Sequence, residues 1–310
     1  MIVLDNLVGG KKILNEFLSK DAIFYEGDLR NAHACKNALK GVDLVYHLAA
    51  HAAEGQSVYI PKFNASTNIM GSIVLLEKAI NQGIIDFVFT SSVAAYGEGC
   101  SLPIKEDCPL KPEDPYGITK ATFENYLRVY HELNAINPFI VRFFNVYGPW
   151  QRMTDPFRGV IPIFINRILK NKPPLIFGDG KQVRAFTYID DIINPLIDLP
   201  KKKKLINSPV NIGSEEVRSV RQVAEALLIF MDKEKLGIEF AKERKSDAKY
   251  VYCDISKAKK LLNYKPKIDL TSGLCKTISW ALEQGPQKFS YKGVSEIEKL
   301  KHSVYKNKSI

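Results

Sequence analysis

Although 45% of its 310 residues are hydrophobic, the chain has no apolar run that approaches the ~18 residues a membrane-crossing helix requires. Its opening, Met1-Ile2-Val3-Leu4-Asp5, is too short and too acidic for a secretory signal. It has no internal repeat and no low-complexity segment, which excludes a repeat architecture. Cysteine is sparse: Cys35, Cys100, Cys108, Cys253 and Cys275 are odd in number and scattered, with no C-x-x-C pair. Such thiols are expected to be reduced, in a reducing compartment. A metal site lacks a framework too. His47 and His51 are four apart, but Asp43-Leu44-Val45-Tyr46-His47-Leu48 reads as a buried strand, on which the two imidazoles do not converge. What remains is a cytoplasmic enzyme of ordinary composition, 25% charged and long enough for one large α/β domain or two lobes.

The net charge is +10, with much of the excess in Lys201 to Lys204 and after Lys288. A nucleic-acid surface wants basic residues interleaved with aromatics on one face. The four lysines instead lie between Pro200 and an apolar run, and read as a solvated loop, so no nucleic-acid partner is expected. A positive field still favours an anionic nucleotide substrate.

Short β-branched or aromatic runs alternate with amphipathic stretches. Strands are predicted at 2–4, 22–25, 44–47, 87–90, 139–142 and 210–212, and helices at 31–39, 64–81, 116–133 and 220–231. That alternation predicts an α/β fold with a doubly wound parallel sheet. Residues 1–150 and about 181–232 are assigned to it. Pro-rich and charged segments break the pattern at about 151–180 and 233–285, which are assigned to a smaller C-terminal lobe over the strand ends; 286–310 form a basic tail.

A dinucleotide-binding sheet opens with a strand, a glycine-rich turn and a helix, and an acidic residue ends the next strand ~20 residues on. Here Ile2-Val3-Leu4-Asp5-Asn6 ends in that carboxylate, yet no G-x-G-x-x-G precedes it, and Gly9 and Gly10 come after it. The sequence is therefore expected to be truncated by one strand-turn-helix, ~25–30 residues. In the 3-2-1-4-5-6 strand order the absent strand is central, so its two neighbours lose a ladder partner.

Asp114-Pro115-Tyr116-Gly117-Ile118-Thr119-Lys120 carries the chemistry. Tyr116 and Lys120, four apart, share a helix face. A free tyrosine, near pKa 10, is a poor base at neutral pH. An ammonium one turn away favours the phenolate. In Phe89-Thr90-Ser91-Ser92-Val93-Ala94-Ala95-Tyr96-Gly97 a strand runs out into hydroxyl residues. That places Ser92 to hydrogen-bond the oxygen that Tyr116 deprotonates; the plainer reading of Ser91 and Ser92 is capping after a strand.

These two motifs stand with His47-Leu48-Ala49-Ala50, Gly27-Asp28-Leu29, Arg142-Phe143-Phe144-Asn145-Val146-Tyr147-Gly148-Pro149 and Arg184-x-Phe186-x-Tyr188-x-Asp190-Asp191. Together they resemble the extended short-chain dehydrogenase/reductases, and within them NAD-dependent UDP-glucose 4-epimerase-like proteins, from Ile2 to about Pro266. The resemblance implies a Rossmann-type sheet with a substrate lobe, and Ser92, Tyr116 and Lys120 as catalytic residues. It implies that Asp5 and Asn6 hold the adenosine ribose of NAD, the carboxylate repelling the extra phosphate of NADP. Asp28 and Leu29 would flank the adenine. Leu48, Ala49 and Ala50 would line the pyrophosphate and nicotinamide channel, with Asn68 ordering that wall, and Tyr116 and Lys120 would also meet the nicotinamide ribose. Asn145, Arg184 and Arg244 resemble contacts to the nucleotide diphosphate, for which the arginine fork is suited; alone, Arg184 would read as a surface arginine. The predicted helices 64–81 and 116–133 resemble those that pair in family homodimers.

Related dehydratases and decarboxylases carry an acidic residue just after the catalytic hydroxyl. Here Val93 and Ala94 stand there, and neither transfers a proton. That favours epimerisation at C4, by hydride removal to NAD, a 4-keto intermediate and hydride return. Two departures leave the sugar open: Arg244-Lys245-Ser246-Asp247 replaces the usual Arg-x-Gly-Asp, and Val251 aligns with a bulkier gate in some members. Another reductase or dehydratase of the family remains an alternative. So does a non-catalytic remnant that binds a nucleotide sugar or a partner without NAD, because a glycine turn at a helix N-terminus normally grips the pyrophosphate.

Overall fold

The two most hydrophobic strands of the chain have side chains buried on both faces, and this sets the architecture. A computed structural model describes residues 1–8, 18–155, 157–243 and 248–288. The strands are β1 (Ile2–Asp5), β2 (Ile23–Glu26), β3 (Leu44–His47), β4 (Asp86–Ser92), β5 (Asn137–Phe143), β6 (Val146–Tyr147) and β7 (Leu175–Phe177). They continue with β8 (Val183–Ala185), β9 (Thr187–Tyr188), β10 (Val210–Ile212), β11 (Val217–Ser219), β12 (Glu239–Ala241) and β13 (Tyr250–Val251). The helices are α1 (Ala32–Ala38), α2 (Glu54–Ser57), α3 (Pro61–Ala65), α4 (Gly71–Asn81), α5 (Pro115–Glu132), α6 (Val160–Leu169), α7 (Ile189–Asp198), α8 (Val220–Phe230), α9 (Ser256–Leu262) and α10 (Leu270–Gln284).

The main sheet runs β10-β5-β4-β3, every pair parallel, and β1 and β2 form a separate parallel pair. Along β4 the side chains alternate: Phe87 and Phe89 enter a cluster with α1, α4 and α5, while Val88 enters one with α7 and α9. On β5, Ile140 joins the first cluster, and Phe139 and Val141 the second. A strand points successive residues to opposite faces, so helices on both sides are what bury them all. Among the described residues β3 ladders only with β4 and β1 only with β2, so each keeps one edge without a strand beside it.

A third cluster joins α6, α8 and α10 around Phe164, Ile165, Leu227, Leu274 and Ala281. Helix α8, assigned from the sequence to the nucleotide-binding part, thus buries its apolar face with segments assigned to the lobe. Helix α6 lies where the sequence shows a break. Pro162 interrupts the pattern, but it stands in the first helical turn, where a proline sacrifices no intrahelical hydrogen bond.

One expectation is overturned. Cys100 and Cys108 form a disulfide, with Cα atoms 5.8 Å apart, leaving Cys35, Cys253 and Cys275 free. Spacing along the chain conceals the pair. The loop between β4 and α5 doubles back, with Gly97 bridging Lys111 and Ile104 bridging Cys253, and this return brings the two thiols together.

The helix carrying the reactive pair lies hard against the end of β4. A Cβ on Gly117 would sit 2.3 Å from the Ala94 carbonyl oxygen, nearer than any side chain tolerates. Gly117→Ala is therefore expected to destabilise the fold by about 1–3 kcal/mol, as overpacking does. Urea unfolding measures it, and an unchanged midpoint would refute the close approach.

Candidate active site

Strand β4 ends at Ser92, whose hydroxyl accepts from the Ala94 amide at 3.2 Å and caps a single 3-10 turn, Val93–Ala95. Helix α5 starts opposite that turn. Asp114 caps it, accepting from the Gly117 amide at 2.9 Å, and Pro115 opens its first turn. The Tyr116 amide donates to the Ser57 hydroxyl at 3.2 Å, which ties α2 to this corner. One turn on, Lys120 passes inward, donates from Nζ to the Thr90 carbonyl at 2.7 Å, and lies 4.7 Å from the centre of Phe89 and 5.8 Å from that of Tyr116. The structure brings Ser92, Tyr116 and Lys120 together, each almost wholly buried.

Burial dominates the electrostatics. Where the sequence predicts a tyrosine eased towards its phenolate, burial pushes the Tyr116 hydroxyl well above its ordinary value, and the Glu54 carboxylate adds to this; a hydrogen bond from Ser92 and the charge of Arg158 act the other way. Burial drags the Lys120 ammonium down to about 7, opposed by Glu124 and reinforced by Arg158. His47 is held down to about 3 by burial and then by Lys120, so its imidazole is neutral. It meets the Ser72 hydroxyl at 2.7 Å, while His51 engages Gln56 at 2.8 Å and Asn64 at 3.2 Å. Both histidines are thus built into polar networks. Among the described residues no three His, Cys, Asp or Glu side chains converge as metal ligands do.

Of the residues that the sequence assigns to a cofactor, Asp5 and Asn6 stand exposed at the carboxyl end of β1. Asn6 donates to Asp28 at 2.9 Å. Asp28 also receives Arg30 through two nitrogens, at 2.9 and 2.7 Å, and these bonds hold its carboxyl down to about 2. Leu29 packs on the α1–α4 cluster. Past β3, Leu48 and Ala49 are exposed, Leu48 to 55%, and Ala50 is half-buried. Asn68, in a π-turn between α3 and α4, accepts from the His51 amide at 2.7 Å and donates to the Thr119 hydroxyl at 3.1 Å. It therefore fastens this wall to α5.

Of the residues that the sequence assigns to a nucleotide diphosphate, Asn145 follows β5 with φ of 42° and donates to the Ala185 carbonyl at 3.1 Å. Arg184 lies on β8, its backbone in register with Val251 of β13. Asn145 and Arg184 are thus joined through adjacent residues of one strand. Arg244 lies outside the described residues. Sequence reasoning missed Glu54, Arg158 and Glu124. The first two come from distant segments and left no local signal; Glu124, four residues beyond Lys120, was legible from spacing alone.

Residues 2–213 match the model of the NAD dependent epimerase/dehydratase family. The chain is 37% identical over 275 residues to a UDP-glucuronate 4-epimerase of Thermodesulfobacterium geofontis, covering 87% of this chain and 83% of that protein. It superposes with a TM-score of 0.85 and 34% identity on the UDP-glucose 4-epimerase of Thermotoga maritima, solved with UDP-glucose, over 91% of each chain. A dTDP-glucose 4,6-dehydratase of Streptomyces venezuelae, solved with NAD, superposes with a TM-score of 0.84 at 28% identity, over 91% of this chain and 87% of that one.

The buried lysine yields a pH signature. Its folded value, about 7, lies below the ordinary value near 10.4. Below pH ~7 it is charged in both states and the penalty of burying the ammonium is complete. Between ~7 and ~10 the unfolded state binds the additional proton, so this penalty shrinks as pH rises. Lys120→Met is therefore expected to gain stability over the parent chain at pH 6 and to lose most of that advantage by pH 9.5. Urea unfolding at both pH values checks it, and a constant difference would sink it.

Proposed function

The chain belongs to the NAD dependent epimerase/dehydratase family, and from that premise we propose that it interconverts the C4 epimers of a nucleotide-diphosphate sugar, UDP-glucose and UDP-galactose or their N-acetyl analogues. The observation that carries this reading is the turn beside the reactive pair. Ser92 and Tyr116 flank Val93–Ala95, so where a dehydratase keeps an acid there are two aliphatic side chains that move no proton.

The residues present fit NAD. An exposed carboxylate and amide, Asp5 and Asn6, suit ribose hydroxyls; an apolar wall runs from the exposed Leu48 and Ala49 to the half-buried Ala50; and Asn68 ties the His51 segment that follows to the helix carrying Tyr116 and Lys120. Asp28, Leu29 and Asn68 complete the set. When bound, NAD supplies the hydride acceptor and donor. The chain supplies orientation and proton transfer. Tyr116 takes the proton of the sugar 4-hydroxyl and later returns it, Ser92 hydrogen-bonds the same oxygen, and Lys120 favours the phenolate. Asn145, Arg184 and Arg244 are assigned to the nucleotide diphosphate.

We also assign a homodimer to this fold. Ile118, Tyr126, Val129 and Leu133 form an exposed stripe along α5, and Met70 is exposed next to α4. Spaced three, four and eight apart, the first four share one helix face. Val129→Glu is expected to shift the light-scattering mass from two chains to one; a monomeric parent chain would overturn the assignment.

The activity test incubates the protein with UDP-glucose, UDP-galactose and their N-acetyl analogues and resolves the products. The expected product is the C4 epimer, with Tyr116→Phe lowering turnover by about 10²–10⁴-fold, the range for general acid–base groups, while nucleotide-sugar binding persists. A released keto or deoxy sugar would favour the dehydratase reading. Sugar binding without NAD binding or turnover would favour a non-catalytic role.

A further inference from the structure

We propose that Glu124 is a positioning residue that acts through Lys120: its carboxylate, one turn beyond Lys120 on α5, fixes the Lys120 ammonium beneath the Tyr116 ring. The purpose of this device rests on the reading above, but its test does not. Tyr116, Lys120 and Glu124 recur every four residues and form one buried stripe of α5. The groups that Lys120 touches directly are neutral: the Thr90 carbonyl and the rings of Phe89 and Tyr116.

Titratable groups surround Lys120. From its own helix come Tyr116 and Glu124; from β3, His47, which is neutral; from the loop before α6, Arg158; and from β5, Arg142, behind Glu124. Burial and Arg158 disfavour the ammonium, and Glu124 is the carboxylate that favours it. An ammonium in a dry site persists only with such a partner.

Glu124 cannot swing away. Arg142 grips it through Nε at 3.0 Å and a terminal nitrogen at 2.6 Å. Arg142 in turn lies 4.6 Å from the centre of the Tyr96 ring and donates to the Glu106 carbonyl at 3.2 Å. The Tyr96 hydroxyl donates to Asn211 at 2.7 Å, and Asn211 donates to the Ile104 carbonyl at 3.0 Å. The clamp therefore passes from α5 through β5 and β10 into the loop that joins Ser92 to Tyr116. A buried ion pair can often be exchanged for apolar side chains without loss of stability, so packing alone does not account for a charge pair here.

The test follows the Lys120 side-chain carbon resonance through a pH titration in carbon-13 lysine-labelled protein without nucleotide, assigned by its loss in Lys120→Met. Glu124→Gln alone strands the Arg142 charge, so two charge-free pairs are used, Glu124→Gln/Arg142→Met and Glu124→Leu/Arg142→Met, each checked for a cooperative melt. The midpoint is expected to fall by about one unit in whichever pair folds, an approximately tenfold smaller ammonium population at pH 8. Glu124→Asp, which keeps the charge, is expected to retain most of the parent midpoint. An unchanged midpoint in the charge-free pairs would overturn the proposal, because Glu124 would then serve only to neutralise Arg142. No turnover is read, so an inactive protein sinks the epimerase reading and leaves this result standing.

Discussion

Lys120 carries an ammonium into a place where water cannot follow. Its Nζ donates to the Thr90 carbonyl at 2.7 Å and lies over the face of Phe89, and the residue as a whole is only 4% exposed. An isolated charge there is strongly disfavoured, and the surrounding structure consists largely of what makes it tolerable. Strand β4 supplies the carbonyl and the aromatic face. Gly117 lets α5 approach closely enough for the lysine to reach them, and Glu124, clamped by Arg142, supplies the opposite charge.

The same approach places Tyr116 beside Ser92. Both faces of β4 are buried, so the strand cannot shift without displacing two cores. Its last residue therefore offers its hydroxyl at a fixed height, while Asp114 sets the first turn of α5. The outer wall is held from another direction: Asn68, on the π-turn between α3 and α4, joins the His51 segment to Thr119. Three segments of the site are thus fixed by elements whose own reason for being there is burial.

Much of this was legible from local patterns, because the determining periodicities are local. The four-residue spacing of Tyr116 and Lys120 needs only a helix to acquire meaning, and the run from Phe87 to Ser92 needs only a strand. The strand at 210–212 and the start of α8 at Val220 lie where the alternation of short apolar runs and amphipathic stretches predicts them. Helix α6 was hidden because a proline in a first turn looks, in sequence, like one that breaks a helix. The pairing of Cys100 with Cys108 was hidden because the return of their loop depends on a bridge to Cys253, far along the chain.

By itself the sequence determined which groups were available: a tyrosine and a lysine on one helix face, a hydroxyl at the end of a strand, and aliphatic side chains where a second acid would stand. Those are properties of neighbours in the chain, set by helical and strand geometry. Only the tertiary structure decided what those groups experience. The depth of Lys120, the rise of the Tyr116 hydroxyl, the reach of Glu54 and Arg158, and the Arg142 clamp on Glu124 all depend on which segments exclude water from one volume. Solvation and Coulomb energies are set by distance in space, and distance along the chain does not fix them.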